Sequence, residues 1–291
     1  MKFTLLLIAI LISLPTTLLA EIVVTDDAGT VLTLDKTATR VVSLSPGLTE
    51  MLFAAGGGEY IKGVVSYSDY PEEAKALPQV GGYNNIDIET IVSMKPDLVV
   101  SWKSGNPPLQ ISKLQSLGLN VFISEMREFD DIPRTLTQLG TIMGTESHAL
   151  KAAKEFTTQL NALRAQYNPE NTQPKSVYIQ IWNDPLMSIN GDHLISRIVG
   201  LCNGKNIFQN VQTVTITLDA ETIIKENPDA IIATREGEQG EQWLSRWRGW
   251  PFLKAVKQGE LYMANPDHLV RHTPRIINGI KQVCGMLQAA H

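Results

Sequence analysis

Apolar positions along this chain keep two periods, and the same switch from one period to the other is written once in each half. Residues 87–100 read DIETIVSMKPDLVV, and residues 219–232 read DAETIIKENPDAII. In both, a short amphipathic segment runs into Pro-Asp and then into a β-branched apolar run. Proline disfavours helix at the residue before it, so each phrase predicts a helix stopped at Pro96 or Pro228 with a buried strand behind it. Solenoid units recur every few tens of residues, and a single repetition this far along the chain does not fit that pattern. It predicts two like-folded lobes. Helix–Pro-Asp–strand units are common in α/β proteins, and the matched Glu89 and Glu221 favour duplication over coincidence.

The remaining periodicity completes the outline. Ile22-Val23-Val24 and Val31-Leu32-Thr33-Leu34 flank the turn Asp26-Asp27-Ala28-Gly29 and predict a hairpin. Val41-Val42-Ser43-Leu44 reads as a strand. Ser45-Pro46-Gly47 turns it into a helix through Leu52-Phe53-Ala54-Ala55, which Gly56-Gly57-Gly58 ends. Strand-like Val64-Val65, a turn at Tyr67-Ser68-Asp69-Tyr70-Pro71, the first repeat phrase and Val121-Phe122-Ile123 follow. Such alternation predicts a mainly parallel sheet with helices on both faces. From Thr145 to Tyr167 there is neither Gly nor Pro, and Leu150, Ala153, Phe156, Leu160, Leu163 and Tyr167 fall on one face. As one helix this segment spans roughly 35 Å, enough to cross between lobes. A polar run from Asn168 to Pro174 ends it, and Val177-Tyr178-Ile179-Gln180-Ile181 opens a second lobe as a buried strand. The fold class is therefore α/β, with two Rossmann-like lobes (21–144 and 169–291) bridged by one long helix (145–168). One stiff crossing predicts little hinge opening.

Residues 1–20 change the picture of where the chain works. Lys2, an apolar run from Phe3 to Leu14 and small residues through Ala20 read as a secretory signal peptide. No Cys lies near the expected cleavage point, so a lipoprotein anchor has no acceptor thiol, and no later segment approaches a membrane span. The expected location is the periplasm. The formal net charge is −5 over 291 residues, and one unit more negative without Lys2. That balance argues against binding a nucleic-acid backbone as the main activity. The two cysteines, Cys202 and Cys284, sit in the second half. In an oxidising compartment an even count reads first as a disulfide, with a redox pair or soft metal ligands as alternatives.

Enzyme signatures are missing: there is no GxSxG elbow, HExxH pair, P-loop or GxGxxG turn. No catalytic residue, metal site or cofactor is expected. Of the five histidines, only His268 and His272 have a close spacing, and the Thr273-Pro274 that follows favours a solvated loop over a metal site. Aromatic placement is more informative. Tyr67, Tyr83, Trp102 and Trp182 each lie at or just past the end of a predicted strand or in a turn-rich loop. Ligands of open α/β sheets sit outside the carboxyl ends of the strands, and flat amphipathic rings there suit a large planar ligand. Trp102 fits a core position equally well. Trp243, Trp247 and Trp250 form a helical stripe and read as packing residues.

Several motifs occur in one ordered set: Ser45-Pro46-x-x-Thr49-Glu50, Tyr67-Ser68-Asp69-Tyr70-Pro71, Lys95-Pro96-Asp97-Leu98-Val99, Cys202-x-Gly204-x-Asn206-Ile207-Phe208 and Pro274-Arg275-Ile276. With the leader, they make the chain resemble the periplasmic vitamin B12-binding proteins of bacterial ABC importers over nearly its whole mature length. These belong to the helical-backbone (class III) substrate-binding family that also serves haem and iron–siderophore uptake. The resemblance implies a monomer that holds cobalamin or a related corrinoid in a cleft between the lobes. It would deliver that ligand to an inner-membrane ABC permease with its ATPase subunits.

The resemblance also assigns roles by position. Tyr67 would contact the corrin from the first lobe, and the loop Asp267-His268-Leu269-Val270-Arg271 from the second, with Arg271 as a charged donor. Cys202 and Cys284 would form the disulfide. Glu89 and Glu221 would dock onto permease arginines, although first-turn helix positions also favour acidic residues without any partner. Tyr83 stands where the family has a Trp, and Thr215 where it has another ring, with Trp182 placed to compensate. The nearest alternative keeps the fold and takes haem or a ferric siderophore. A siderophore pocket would present several Arg or Lys, of which Arg271 is the one strong candidate. A haem site would want an axial ligand such as Tyr67, Tyr83 or His268.

Overall fold

A computed structural model describes residues 21–167 and 173–288. The expected leader, residues 1–20, and part of the polar run after Tyr167 lie outside the described residues.

The first lobe runs β1 (Ile22–Thr25), β2 (Val31–Leu34), β3 (Val41–Ser43), α1 (Pro46–Ala54), β4 (Ile61–Val64), β5 (Gly81–Gly82), β6 (Asn85–Ile86), α2 (Ile88–Ser93), β7 (Leu98–Trp102), α3 (Pro108–Ser116), β8 (Val121–Ser124) and α4 (Asp131–Met143). Helix α5 (Glu146–Gln166) leads to the second lobe. That lobe opens with β9 (Lys175–Gln180), β10 (Trp182–Asn183), β11 (Leu186–Ile189), α6 (Leu194–Leu201), β12 (Gly204–Asn206) and β13 (Thr215–Leu218). It closes with α7 (Ala220–Glu226), β14 (Ala230–Ala233), α8 (Gly237–Arg248), α9 (Lys254–Lys257), β15 (Leu261–Met263), α10 (Pro266–Leu269) and α11 (Ile276–Gln288). The main sheets have orders β4-β3-β7-β8 and β12-β9-β14-β15, all parallel. Their central pairs, β3 with β7 and β9 with β14, occupy equivalent places, as the repeated phrase predicts.

Several letters of that phrase have mechanical tasks. Asp87 and Asp219 cap their helices, accepting from the backbone N–H of Thr90 at 3.0 Å and of Thr222 at 2.8 Å. Such caps satisfy donors that a helix start leaves open. The helices stop before the prolines, and the chain leaves through left-handed Lys95 (φ 48°) and Asn227 (φ 47°). Asp97 then accepts from the N–H of Thr39 at 2.9 Å and Asp229 from that of Ser176 at 2.9 Å, so both anchor the entrance of the neighbouring central strand. The duplication is thus one of cap, exit and anchor.

Both faces of each main sheet are covered, which is why these strands read as continuous apolar runs. On β7, Leu98 and Val100 face inward while Val99 faces the outer helices; on β14, Ala230 and Ile232 oppose Ile231 in the same way. The inward faces meet in one continuous cluster. It runs from Leu139 and Ile142 on α4, through Phe156 and Leu160 on α5, to Ile179 and Ile198 in the second lobe.

Helix α5 has 21 residues, a length of about 31 Å. Its inward face differs by one position from the expected one: Ala149 is buried, and Leu150 is 55% exposed. The cause is the close approach of α4, where a Cβ on Gly140 would fall 2.3 Å from that of Ala149. Only small residues fit that crossing, so Leu150 turns outward. Helix α4 itself was not expected, because Pro133 and Gly140 interrupt its pattern. Pro133 lies in the first turn, where its missing N–H costs nothing.

Cys202, which caps α6, is bonded to Cys284 on α11, and both are fully buried. The three tryptophans are packing residues, although Trp250 falls just past the end of α8.

Candidate functional site

The carboxyl ends of both main sheets lead to one region where the lobes meet. On the first lobe, α1 starts from Ser45, whose side chain accepts from the Leu48 N–H at 3.1 Å. That cap sets the helix so that Glu50 points inward, and only 3% of the residue is exposed. The turn after β4 carries Tyr67, 76% exposed and left-handed at φ 66°. For a bulky side chain that conformation costs about 1–2 kcal/mol. Flanking bonds hold it: Ser66 N–H to the Gly81 carbonyl at 2.8 Å and Thr49 Oγ1 to Ser68 Oγ at 3.1 Å. Nearby, Asn106 accepts from the Trp102 N–H at 2.6 Å and donates to the carbonyls of Leu44 and Tyr83, both at 2.8 Å. This one amide keeps Tyr83 and Trp102 together, with ring centroids 6.1 Å apart.

From the second lobe, Trp182 stands 49% exposed just past β9, edge-on to Trp243 at 6.2 Å. Asp267, His268 and Leu269 lie on the short helix α10, capped by Asn265, where a loop was expected. Leu269 is a correction: it is fully buried against Gly279 and belongs to the core, so its side chain cannot face a ligand. Asp267, His268 and Val270 remain accessible.

Arg271 also departs from expectation. Its side chain is 11% exposed and engaged by protein groups, with Nη1 donating to Glu50 Oε1 at 3.0 Å and Asp69 Oδ1 at 2.6 Å. Nη2 donates to the Tyr67 carbonyl at 3.2 Å and lies 3.1 Å from Asp267. Arg275 adds a bond to Glu50 at 3.2 Å and stacks its guanidinium 4.0 Å from the centre of the Tyr70 ring. Thr273 donates to the second Glu50 oxygen at 3.0 Å. Burial pushes the Glu50 carboxyl above its ordinary range despite both guanidiniums. Burial also acts upward on Asp69, but the bond and charge of Arg271 carry it below the usual range. Glu50, Asp69, Tyr70 and Arg275 were not foreseen in these roles, although all four stand inside the motifs quoted above. The available signal was a charged residue on the apolar face of α1.

A second contact between lobes uses histidines. His272 donates through Nδ1 to the Met126 carbonyl at 2.7 Å, which can only accept, and its Nε2 is buried without a partner among the described residues. The ring meets His193 edge-on at 5.2 Å, and His193 Nδ1 caps α6 by accepting from Ile195. His268 and His272 are therefore no chelating pair, and among the described residues no cluster suits a metal ion. Burial, with the neighbouring His272 and Arg127, pushes the His193 imidazole down to about 3, and burial lowers His272 as well. An unfolded His titrates near 6.5. As pH falls below that value the unfolded chain takes up protons that these folded rings refuse, so stability present above pH about 6.5 is lost toward pH 3. Glu50, whose carboxyl burial raises, works in the opposite sense. The urea midpoint should fall between pH 7 and pH 5, and a constant midpoint across that window would contradict this assignment.

Glu89 and Glu221 are exposed in the first turns of α2 and α7, each two residues after its capping Asp. Among the described residues no helix is long and apolar enough to cross a membrane.

Comparison with known proteins places this geometry. A family model described as periplasmic binding protein matches residues 41–268. A vitamin B12-binding protein of Vibrio cholerae is 33% identical over 254 residues, covering 87% of this chain and 90% of the relative. The crystal structure of a periplasmic vitamin B12 binding protein of Vibrio cholerae superposes with a TM-score of 0.81 at 33% identity, covering 86% of this chain and 97% of that one. A periplasmic haem-binding protein from Roseiflexus shares the fold at a TM-score of 0.76 and 21% identity, covering 86% of this chain and 98% of that one. With its two duplicated lobes, single long helix and matching sequence, the chain belongs to the periplasmic binding protein family.

Proposed function

We propose that this protein captures cobalamin or a related corrinoid between its lobes, in the periplasm, and delivers it to an inner-membrane ABC permease with its ATPase subunits. Its work is binding, not catalysis. The observation that carries the reading is the exposed Tyr67 ring, held in a left-handed turn at the edge of the lobe interface, in a chain one-third identical to vitamin B12-binding proteins. Tyr83 and Trp102 on the same lobe, and Trp182 on the other, supply further flat surface for a polycyclic ligand. Glu89 and Glu221, set alike on two duplicated lobes, suit a permease with its own twofold character. Complementary charges of this kind fix register and speed encounter.

Calorimetric and spectral titration of the mature protein with cyanocobalamin, cobinamide, haemin and a ferric siderophore tests the reading. Saturable binding of the corrinoids is expected, and saturation by haemin or the siderophore alone would overturn it. Tyr67→Ala should weaken corrinoid binding by about 2 kcal/mol or more, as truncation of a buried aromatic anchor does. Wild-type affinity in that variant would place the ligand elsewhere.

A further inference from the structure

Four of the residues that mark this sequence as a family member have no role in the reading above, and all four lie in the contact between lobes. Glu50 comes from α1, and Asp69 and Tyr70 from the turn after β4. Arg275, like Arg271, follows α10. Two guanidiniums from the second lobe thus meet two carboxylates and a ring from the first, with Asp267 completing the set. Every group belongs to the chain, so the bonds need no ligand to complete them.

We propose that Glu50, Asp69, Arg271 and Arg275 form a clasp that sets the separation of the lobes and holds the Tyr67 turn, so that they are positioning residues for the ligand. Arg271 is central to it. One guanidinium bonds Glu50, Asp69 and the Tyr67 carbonyl together, so the left-handed residue of one lobe is tied to the frame of the other. The planar fork of Arg spreads its donors over separate nitrogens, so Nη1 and Nη2 reach acceptors on different sides of the group, which the single nitrogen of Lys cannot. Arg271 therefore acts on the ligand through Tyr67. Burial disfavours the charged form of Glu50. A carboxylate placed at such a cost contributes little net stability as a buried pair, and its use here is geometric.

The inference rests on the corrinoid reading for its second arm only. For the first arm, spin labels on Leu109→Cys and Gln242→Cys, exposed sites on opposite lobes, report the lobe separation. The native cysteines are both bonded, so labels reach only the new thiols. With the clasp intact, one narrow distance distribution is expected, the same with and without cyanocobalamin. Glu50→Gln keeps the shape and removes the charge, and should broaden the distribution without ligand. Asp69→Asn, at a more exposed site, should do so in part while the near-ultraviolet dichroism stays native. A narrow, unshifted distribution in both variants overturns the clasp. In the second arm, Glu50→Gln should weaken cyanocobalamin binding about tenfold although its side chain is enclosed, and saturating ligand should narrow the distances again. Broad distances with unchanged affinity would overturn the positioning of Tyr67. Failure of the unmodified protein to bind any corrinoid would sink the functional reading and leave the distance measurement standing.

Discussion

Reversing both carboxylates proposed to dock, Glu89→Arg together with Glu221→Arg, should abolish corrinoid uptake while leaving ligand affinity unchanged. Both side chains are exposed, and neither makes the bond that starts its helix; Asp87 and Asp219 do that. A cation in the first turn opposes the helix dipole by about 0.3–1 kcal/mol, too little to threaten the fold. At an interface with a basic partner, each reversal replaces attraction with like-charge repulsion, and such juxtaposition costs several kcal/mol. The two losses come from separate lobes, so each single reversal should leave one anchor and do partial damage. Uptake in cells and permease association in nanodiscs measure delivery; calorimetry measures capture. Normal transport by the double variant would reduce both glutamates to helix-start residues. Loss of ligand binding instead would move them into the site.

Removing the disulfide should give the largest change in stability. Cys202 and Cys284 are 82 residues apart in sequence, and closing a loop of that length is worth about 4.5 kcal/mol in the chain-entropy account, with measured losses for native bridges of about 2–5 kcal/mol. The bond ties α11 to the end of α6, and α11 also packs against α5. Replacing both cysteines with Ala should lower the melting temperature by roughly 5–15 °C, from the usual few degrees per kcal/mol for a chain of this size. A thiol reagent added to the denatured, unreduced protein should find no free cysteine. Two titratable thiols, or an unchanged melting temperature in the variant, would contradict this.

The fold was legible where periodicity and punctuation agree. The repeat phrase foretold both helix–strand units, because capping Asp, terminal Pro and anchoring Asp act locally and leave their mark in the letters themselves. The bridging helix was legible from its freedom from Gly and Pro. Its inward face was not, since Leu150 yields to Ala149 only through the nearness of Gly140 on another helix. Helix α4 was hidden by residues that normally end helices and here serve its start and its crossing. At the site, exposure followed position for Tyr67, but Leu269 is buried by a glycine on α11 that no local pattern announces. The partners of Arg271 are some two hundred residues away. Motif membership flagged Glu50 and Asp69 without saying what they touch, because ion pairing across lobes is a property of the assembled chain.

The apolar cluster that passes unbroken through α4 and α5 bears on how the molecule comes apart. Duplicated halves with separate interiors would be free to melt one after the other, each a small cooperative system of its own. Here the inner faces of both sheets close on the same side chains, Phe156 and Leu160 among them, so loosening either half strips the other of its lining. Heating should therefore give a single calorimetric peak whose width matches its area, and a chain cut at the end of α5 should yield two fragments that cannot stand alone. Symmetry is kept in the architecture and lost in the thermodynamics.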